Sequence, residues 1–302
     1  MEAGARVRPV GVTWLTATRV TVADYVALTK PRVISLLLVT TVATMFVADP
    51  SPRLSMILLT VIGGYLAAGG AGAINHYIER DIDAHMSRTS RRPLPSGRIE
   101  PRSALWFGVA LGAISFAVFA VGVNLTAALL ALSGLLGYVF VYTMWLKPLT
   151  SQNIVIGGAA GAVPPLVGWA AAAGHLDASA FYLFAIVFYW TPPHFWALAL
   201  LIKDDYARTG IPMLPVVDGE AETRRQILLY GWLLLPITAL PVAGGLLGPA
   251  YATSALVLDA ALIGLCLRLY RRADRRSAAI LFHYSLAYLA LLFAAMAIDR
   301  VV

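Results

Sequence analysis

The sequence predicts an all-α, polytopic membrane protein with nine spanning helices, and three observations predict it. Hydrophobic residues make up 59% of the 302-residue chain and charged residues 13%, where soluble domains hold about half and about a quarter. The apolar residues fall in long runs instead of the short alternations of a soluble fold. Lysine and arginine crowd into every second gap between those runs and nearly vanish from the others.

A helix needs about 20 apolar residues to cross about 30 Å of hydrocarbon. Runs of roughly that length lie at 33–48, 54–75, 104–123, 125–146, 154–173, 178–201, 227–247, 251–270 and 278–298. The first is short and borrows from Lys30–Arg32, where Pro31 suits the first turn of a helix. In the second and fifth, GGYLAAGGAG (63–72) and GGAAGA (157–162) supply small residues that let backbones approach closely in lipid. The eighth carries Asp259 midway along its length. An ionisable group at that depth is costly, so Asp259 reads as either a paired structural acid or a cavity-lining one. Cys266, the single cysteine, lies in the same run and reads as small apolar filling, without a disulfide or metal partner.

Residues 1–23 are polar and basic and lack a signal-peptide core, so a flexible cytosolic tail is expected there, ahead of one membrane-embedded domain over 24–302. Of the 23 lysines and arginines, all but Arg53 and Arg300 fall on one side of the nine runs. The positive-inside rule assigns that side to the cytoplasm. An integral, multi-pass protein of the plasma (inner) membrane follows, with the N-terminus and the long loops at about 77–103 and 202–226 cytoplasmic and the C-terminus outside. The net charge of +7 is thereby a matter of topology, and it points to the lipid bilayer as a partner, not to nucleic acid.

The acids are the anomaly. In NHYIERDIDAHMSRTSRRPLPSG (75–97), Asn75, Glu79 and Asp83 are spaced four apart. If the second helix continues for two turns past its apolar run, they share one face, while Asp81 points away. Two carboxylates and an amide oxygen are hard donors that suit Mg²⁺, which binds through few protein ligands and completes its shell with phosphate oxygens. Arg88, Arg91 and Arg92 follow, and guanidinium forks pair naturally with phosphate. The two groups together describe a metal–diphosphate site. His76 and His85 read as loop residues. A second cluster, KDDYARTGIPMLPVV (203–217), puts Asp204 and Asp205 beside Lys203 on the same side, so that two acidic patches face one diphosphate. Lys147, the one base of its loop, reads either as a contact to the same anion or as a topological anchor.

With these residues the chain resembles the UbiA superfamily of intramembrane prenyltransferases, and within it the haem-directed branch. The superfamily's first motif, Asn-x₃-Asp-x₃-Asp, stands here as Asn75, Glu79 and Asp83, with Glu for the middle Asp. Its second, Asp-x₃-Asp, keeps Asp205 but has Thr209 at the second acid. Also shared with that branch are LTKPRV (28–33), RTSRRPL (88–94), YTMWLKPLTSQNIVIGGAAGAVPPLVGW (142–169), WTPPHFWALAL (190–200), DYARTGIPMLPVV (205–217) and FHYSLAYLALLF (282–293).

The resemblance implies nine helices around a central cavity. Mg²⁺-bound farnesyl diphosphate would sit at the cytosolic mouth, and the 2-vinyl group of protohaem IX (haem B) would accept the prenyl group to give haem O. A haem A synthase or oxidase assembly factors are then expected partners. Asn75, Glu79, Asp83 and Asp205 are the expected catalytic residues and, with Asp204, the metal ligands. Arg88, Arg91, Arg92, Lys147 and Lys203 are the expected diphosphate contacts, and Tyr142, Trp190 and Trp196 candidates to stabilise an allylic cation. His194 and His283 are candidate haem-binding residues, because haem iron takes imidazole axially. The rivals are a relative acting on an aromatic quinone precursor or a chlorophyllide, and a secondary transporter. Transporters place charge near the membrane midplane, and only Asp259 lies there.

Overall fold

A backbone in hydrocarbon must satisfy its own hydrogen bonds, which makes each apolar run a helix. The computed structural model describes residues 21–302, so the expected tail lies, up to Val20, outside the described residues. Thirteen helices follow: α1 (Val22–Thr29), α2 (Pro31–Ala48), α3 (Leu54–Ile78), α4 (Arg80–His85), α5 (Pro101–Gly122), α6 (Leu125–Leu149), α7 (Asn153–Ala173), α8 (Ala178–Leu201), α9 (Lys203–Arg208), α10 (Leu214–Val217), α11 (Gly219–Ala243), α12 (Pro249–Arg272) and α13 (Arg275–Val301). Nine of these, counted among the described residues, are long and apolar enough to cross a membrane: α2, α3, α5, α6, α7, α8, α11, α12 and α13.

Local chemistry sets the boundaries. Lys30 adopts the left-handed conformation (φ 58°) and turns the chain from α1 into α2, with Pro31 at the first helical position. Asn124, Asp177 and Asp274 cap α6, α8 and α13 by accepting from backbone N–H groups at 2.6–2.8 Å. At the opposite end from Lys30, Asp299 of α13 accepts from Gly248 and Tyr251 N–H at the start of α12. There too Arg300 donates to the Val47 carbonyl at the end of α2. α11 begins at Gly219 and not near 227, because GEAETRRQ (219–226) is polar yet helical, held by Glu220–Arg224 and Glu222–Arg225 pairs. Two spans depart from regular α geometry. α6 widens to a π-helix over Gly137–Leu146, and α7 breaks at Ala162, ahead of Pro164 and Pro165.

Neighbours in sequence are neighbours in space, and α13 returns to α2, closing a ring. Contacts of α2 with α7 and of α8 with α13 pinch the ring into two lobes. The α2–α7 crossing depends on Gly168, where a Cβ would stand 2.2 Å from the Thr41 carbonyl oxygen. The α3–α5 contact depends on Gly70, where it would stand 2.7 Å from the Gly108 carbonyl oxygen. Large side chains fill the second lobe, with Tyr251, Tyr288 and Phe293 fully buried. The first lobe retains an apolar cleft of about 150 Å³ between α2, α3, α6 and α7. Glycines and alanines, among them Gly64, Ala67, Ala71, Ala131 and Gly161, share its wall with Val33, Ile34, Leu37 and Leu38, and Lys30 and Tyr138 stand at its polar end.

Candidate active site

α3 ends at Ile78, and Glu79 (φ −91°, ψ 6°) joins it to α4 almost without a break, since Glu79 N–H reaches the Asn75 carbonyl and Asp83 N–H the Glu79 carbonyl. The four-residue spacing therefore puts Asn75, Glu79 and Asp83 together. All three are buried, and Asp81 is exposed. Each meets a partner from elsewhere in the chain. The Asn75 Oδ1 accepts from Lys30 Nζ at 2.5 Å, Glu79 Oε1 pairs with Lys147 Nζ at 2.5 Å, and Asp83 Oδ2 pairs with Arg92 Nη1 at 2.8 Å.

Of the second cluster only Asp205 turns inward; it is buried, while Asp204 is exposed. Ser87, four residues past Asp83, donates its hydroxyl to both Asp205 oxygens at 3.0 and 2.8 Å. That bond ties the loop after α4 to α9. Arg208 also pairs with Asp205. Lys203 pairs instead with Glu220 on α11, and Arg88 and Arg91 are exposed. Tyr206, buried beside Asp205, faces Lys147, Arg88, Glu79 and Arg92.

Burial pushes the Glu79 carboxyl up, but the Lys147 and Lys30 charges outweigh it and hold it below its usual range. Burial likewise raises Asp205, and the Ser87 and Arg208 hydrogen bonds bring it below its ordinary value. Lys30 is pushed down to about 7, chiefly by burial and next by Arg92. No group of three or more His, Cys, Asp or Glu converges as a cation cage among the described residues. The donor set is nonetheless of the right kind for a hard cation. Asp83 Oδ1 has no hydrogen bond among the described residues, and the carboxylates that meet at the rim are neutralised by mobile lysine and arginine side chains. Such a set fits Mg²⁺ completed by substrate oxygens.

Three site features were not read from the sequence. From sequence, Lys30 has a place in the topology, in the first turn of its helix and in LTKPRV (28–33), but no role at the site. His76 is no loop residue: it lies in the last turn of α3, 2% exposed, with neither ring nitrogen hydrogen-bonded. Tyr206 carried no signal beyond its place after Asp205.

The second lobe holds His194, buried and stacked between Trp190 (ring centroids 4.5 Å) and Phe282 (4.9 Å). Ser285 spends its hydroxyl proton on the Phe282 carbonyl at 2.7 Å and so accepts from His194 Nδ1, also at 2.7 Å. That arrangement leaves the Nε2 lone pair free. His283 is exposed, with Nδ1 on the Ala279 carbonyl, on a different side of α13. Trp190 donates to the Ser285 carbonyl at 2.9 Å and Tyr142 packs on Gly157. Trp196 is buried edge-on to Tyr230.

Residues 36–294 match the UbiA prenyltransferase family. A relative from Symbiobacterium thermophilum, named protoheme IX farnesyltransferase, is 54% identical over 281 residues, covering 92% of this chain and 94% of its own. Relatives of the same name from a Roseiflexus species and from Thermus thermophilus are each 55% identical over 92% of this chain, which spans only 52% and 46% of theirs. The chain thus spans about half the length of those two. Among solved structures, an apo UbiA homolog from Aeropyrum pernix K1 superposes with a TM-score of 0.71 at 22% identity, covering 89% of this chain and 98% of that one. A UbiA homolog from Archaeoglobus fulgidus bound to GPP and Mg²⁺ gives 0.67 at 18%, covering 90% and 99%. At these identities the likeness is one of fold.

Proposed function

The chain belongs to the UbiA prenyltransferase family, and on that premise we propose that it transfers the farnesyl group of farnesyl diphosphate to the 2-vinyl group of protohaem IX, giving haem O and diphosphate. The protein is an integral, multi-pass membrane protein. We also propose that its rim faces the cytoplasm, as the lysine and arginine asymmetry supports.

The observation that carries the reading is the rim of the first lobe. Buried Asn75, Glu79 and Asp83 meet Lys30, Lys147 and Arg92, respectively, at the polar end of an apolar cleft, and Ser87 draws Asp205 to the same loop. A diphosphate belongs at such a rim and a prenyl tail in such a cleft. The names of the relatives supply the acceptor.

In the reaction, the bond between farnesyl C1 and the diphosphate oxygen breaks, and C1 bonds to the terminal vinyl carbon. Water adds its oxygen to the neighbouring carbon and releases a proton, leaving the hydroxyethylfarnesyl group. Negative charge grows on the departing diphosphate, and we assign its neutralisation to Lys147, Arg92 and Lys30, a reading supported by their pairing with Glu79, Asp83 and Asn75, together with Arg88 of the same loop as Arg92. Mg²⁺, which Asn75, Glu79, Asp83 and Asp205 would hold, supplies further positive charge there. A prenyl diphosphate with Mg²⁺ in the Archaeoglobus homolog supports metal-dependent transfer. The apolar cleft keeps water from the allylic carbon until the acceptor is in place. His194, oriented by Ser285 with Nε2 free, is the side chain best suited to hold haem iron. A haem A synthase or oxidase assembly factors are the partners expected downstream.

The test combines purified protein, farnesyl diphosphate, protohaem and Mg²⁺. Haem O by mass, together with released diphosphate, is the expected outcome; diphosphate release without a prenylated haem would overturn the acceptor.

A further inference from the structure

The register of α6 decides which of its side chains reach the rim. An α-helix turns about 100° per residue, which would set Thr143 about 140° and Lys147 about 180° around from Tyr138. An i→i+5 helix turns roughly 80° per residue and brings both to within about 40° of it. Over Gly137–Leu146 the second geometry holds: Lys147 N–H bonds the Tyr142 carbonyl, and the Thr143 hydroxyl donates to the Tyr138 carbonyl, five residues back, at 2.8 Å. Tyr138, Thr143 and Lys147 thus share the face that meets Lys30, Asn75 and Glu79, respectively.

We propose that Thr143 is a positioning residue that fixes which end of the Asn75 carboxamide faces the substrate, an inference that rests on the prenyl diphosphate reading above. A hydroxyl has one proton, and Thr143 commits it to Tyr138. Toward Asn75 it is therefore an acceptor only, and it takes the Asn75 Nδ2 proton at 3.2 Å. The amide nitrogen is held against α6, and Oδ1 must point to Lys30 and the rim. Asn75 is 2% exposed and Thr143 5% exposed, so water does not compete for either bond. Rotated by half a turn, the same carboxamide would present an NH₂ group, which repels cations, to any metal at the rim. The π register of α6 sets the polarity of Thr143, Thr143 orients Asn75, and Asn75 offers oxygen.

The test uses the full chain purified in detergent, Mn²⁺ as a spectroscopic probe read by EPR, and the unreactive analogue farnesyl thiolodiphosphate. Thr143→Val, which keeps shape and removes the hydroxyl, should weaken Mn²⁺ binding about tenfold, the lower end of what losing a ligand's orienting partner costs. Thr143→Ser should stay within about threefold of the parent. Asn75→Asp has oxygen at both ends, so in that background Thr143→Val should cost less than about twofold. Equal losses in the two backgrounds, or a Thr143→Val protein that binds Mn²⁺ like the parent, would overturn the inference. Should Thr143→Val not fold, Thr143→Ser and Thr143→Cys decide in its place, with retention by Ser and loss by Cys expected and equality refuting. A parent protein that takes up no Mn²⁺ with the analogue would instead refute the prenyl diphosphate reading.

Discussion

Two regions of this molecule bury carboxylates, and they satisfy them in opposite ways. At the rim, Glu79, Asp83 and Asp205 are met by lysine or arginine. In the second lobe, Asp259 is 1% exposed and is met by two neutral hydroxyls, Thr238 on Oδ2 and Tyr288 on Oδ1, each at 2.6 Å. Tyr251 continues the network to the Thr238 carbonyl. Among the described residues its side-chain partners are these two hydroxyls, and no lysine or arginine pairs with it. The first arrangement is ionic and the second neutral, so burial alone does not say how an acid is used. Asp259, open between two readings in the sequence, is paired, and its hydrogen bonds join α11, α12 and α13.

The contrast fails if the two sets of acids respond alike. Asp83→Ala and Asp205→Ala should each cut haem O formation by at least about 10²-fold, the scale of losing a charge-stabilising group, with the protein still folded. Product mass per folded molecule measures it, and near-parental turnover in both would remove the rim from the chemistry. Asp259→Ala should do the reverse. Loss of two membrane-buried hydroxyl bonds predicts about 1–2 kcal/mol of stability, visible in detergent or urea titration, with turnover per folded molecule within about twofold. An inactive but stable Asp259→Ala would make that acid a member of the site.

The smallest effect expected is at Asp24, where the hydrogen bonds from Arg98 and Thr21 hold the carboxyl below its ordinary 3.8. A depressed carboxyl stabilises the fold above that value and loses the contribution as pH falls through its folded value. Asp24→Asn should therefore lower the melting midpoint at pH 7 by about 1–2 °C, and the difference from the parent should disappear once the pH has fallen below the lowered folded value of this carboxyl. A gap that persists there would mean that packing, not charge, connects α1 to the loop at Arg98.

Much of the architecture was legible because lipid imposes one rule on every span. Nine apolar runs became nine helices, and only their polar ends were misplaced, as at GEAETRRQ (219–226), where hydropathy is silent about a helix that leaves the hydrocarbon. The Asn75, Glu79, Asp83 stripe was legible because four-residue spacing needs nothing but a continuing helix. Pairings across the chain were not. Nothing in the local sequence says that Asp205 turns in while Asp204 turns out, that Ser87 would reach Asp205, or that Lys203 would be drawn off to Glu220. His76 looked like a loop residue because the apolar run ends at 75, one residue before it. The π register of α6 was equally invisible, since YVFVYTMWL has no polar periodicity from which to read an angle per residue.

The cleft in the first lobe has one further consequence. Part of its wall consists of hydrogens and methyl groups at Gly64, Ala67, Ala68, Ala131, Gly134 and Gly161, where a larger side chain would take up its space. If the proposed prenyl tail lies here, the chamber would work as a ruler with a movable end stop: one phenylalanine in place of Ala131 should halt the tail partway and shorten the isoprenoid transferred, as product mass would read.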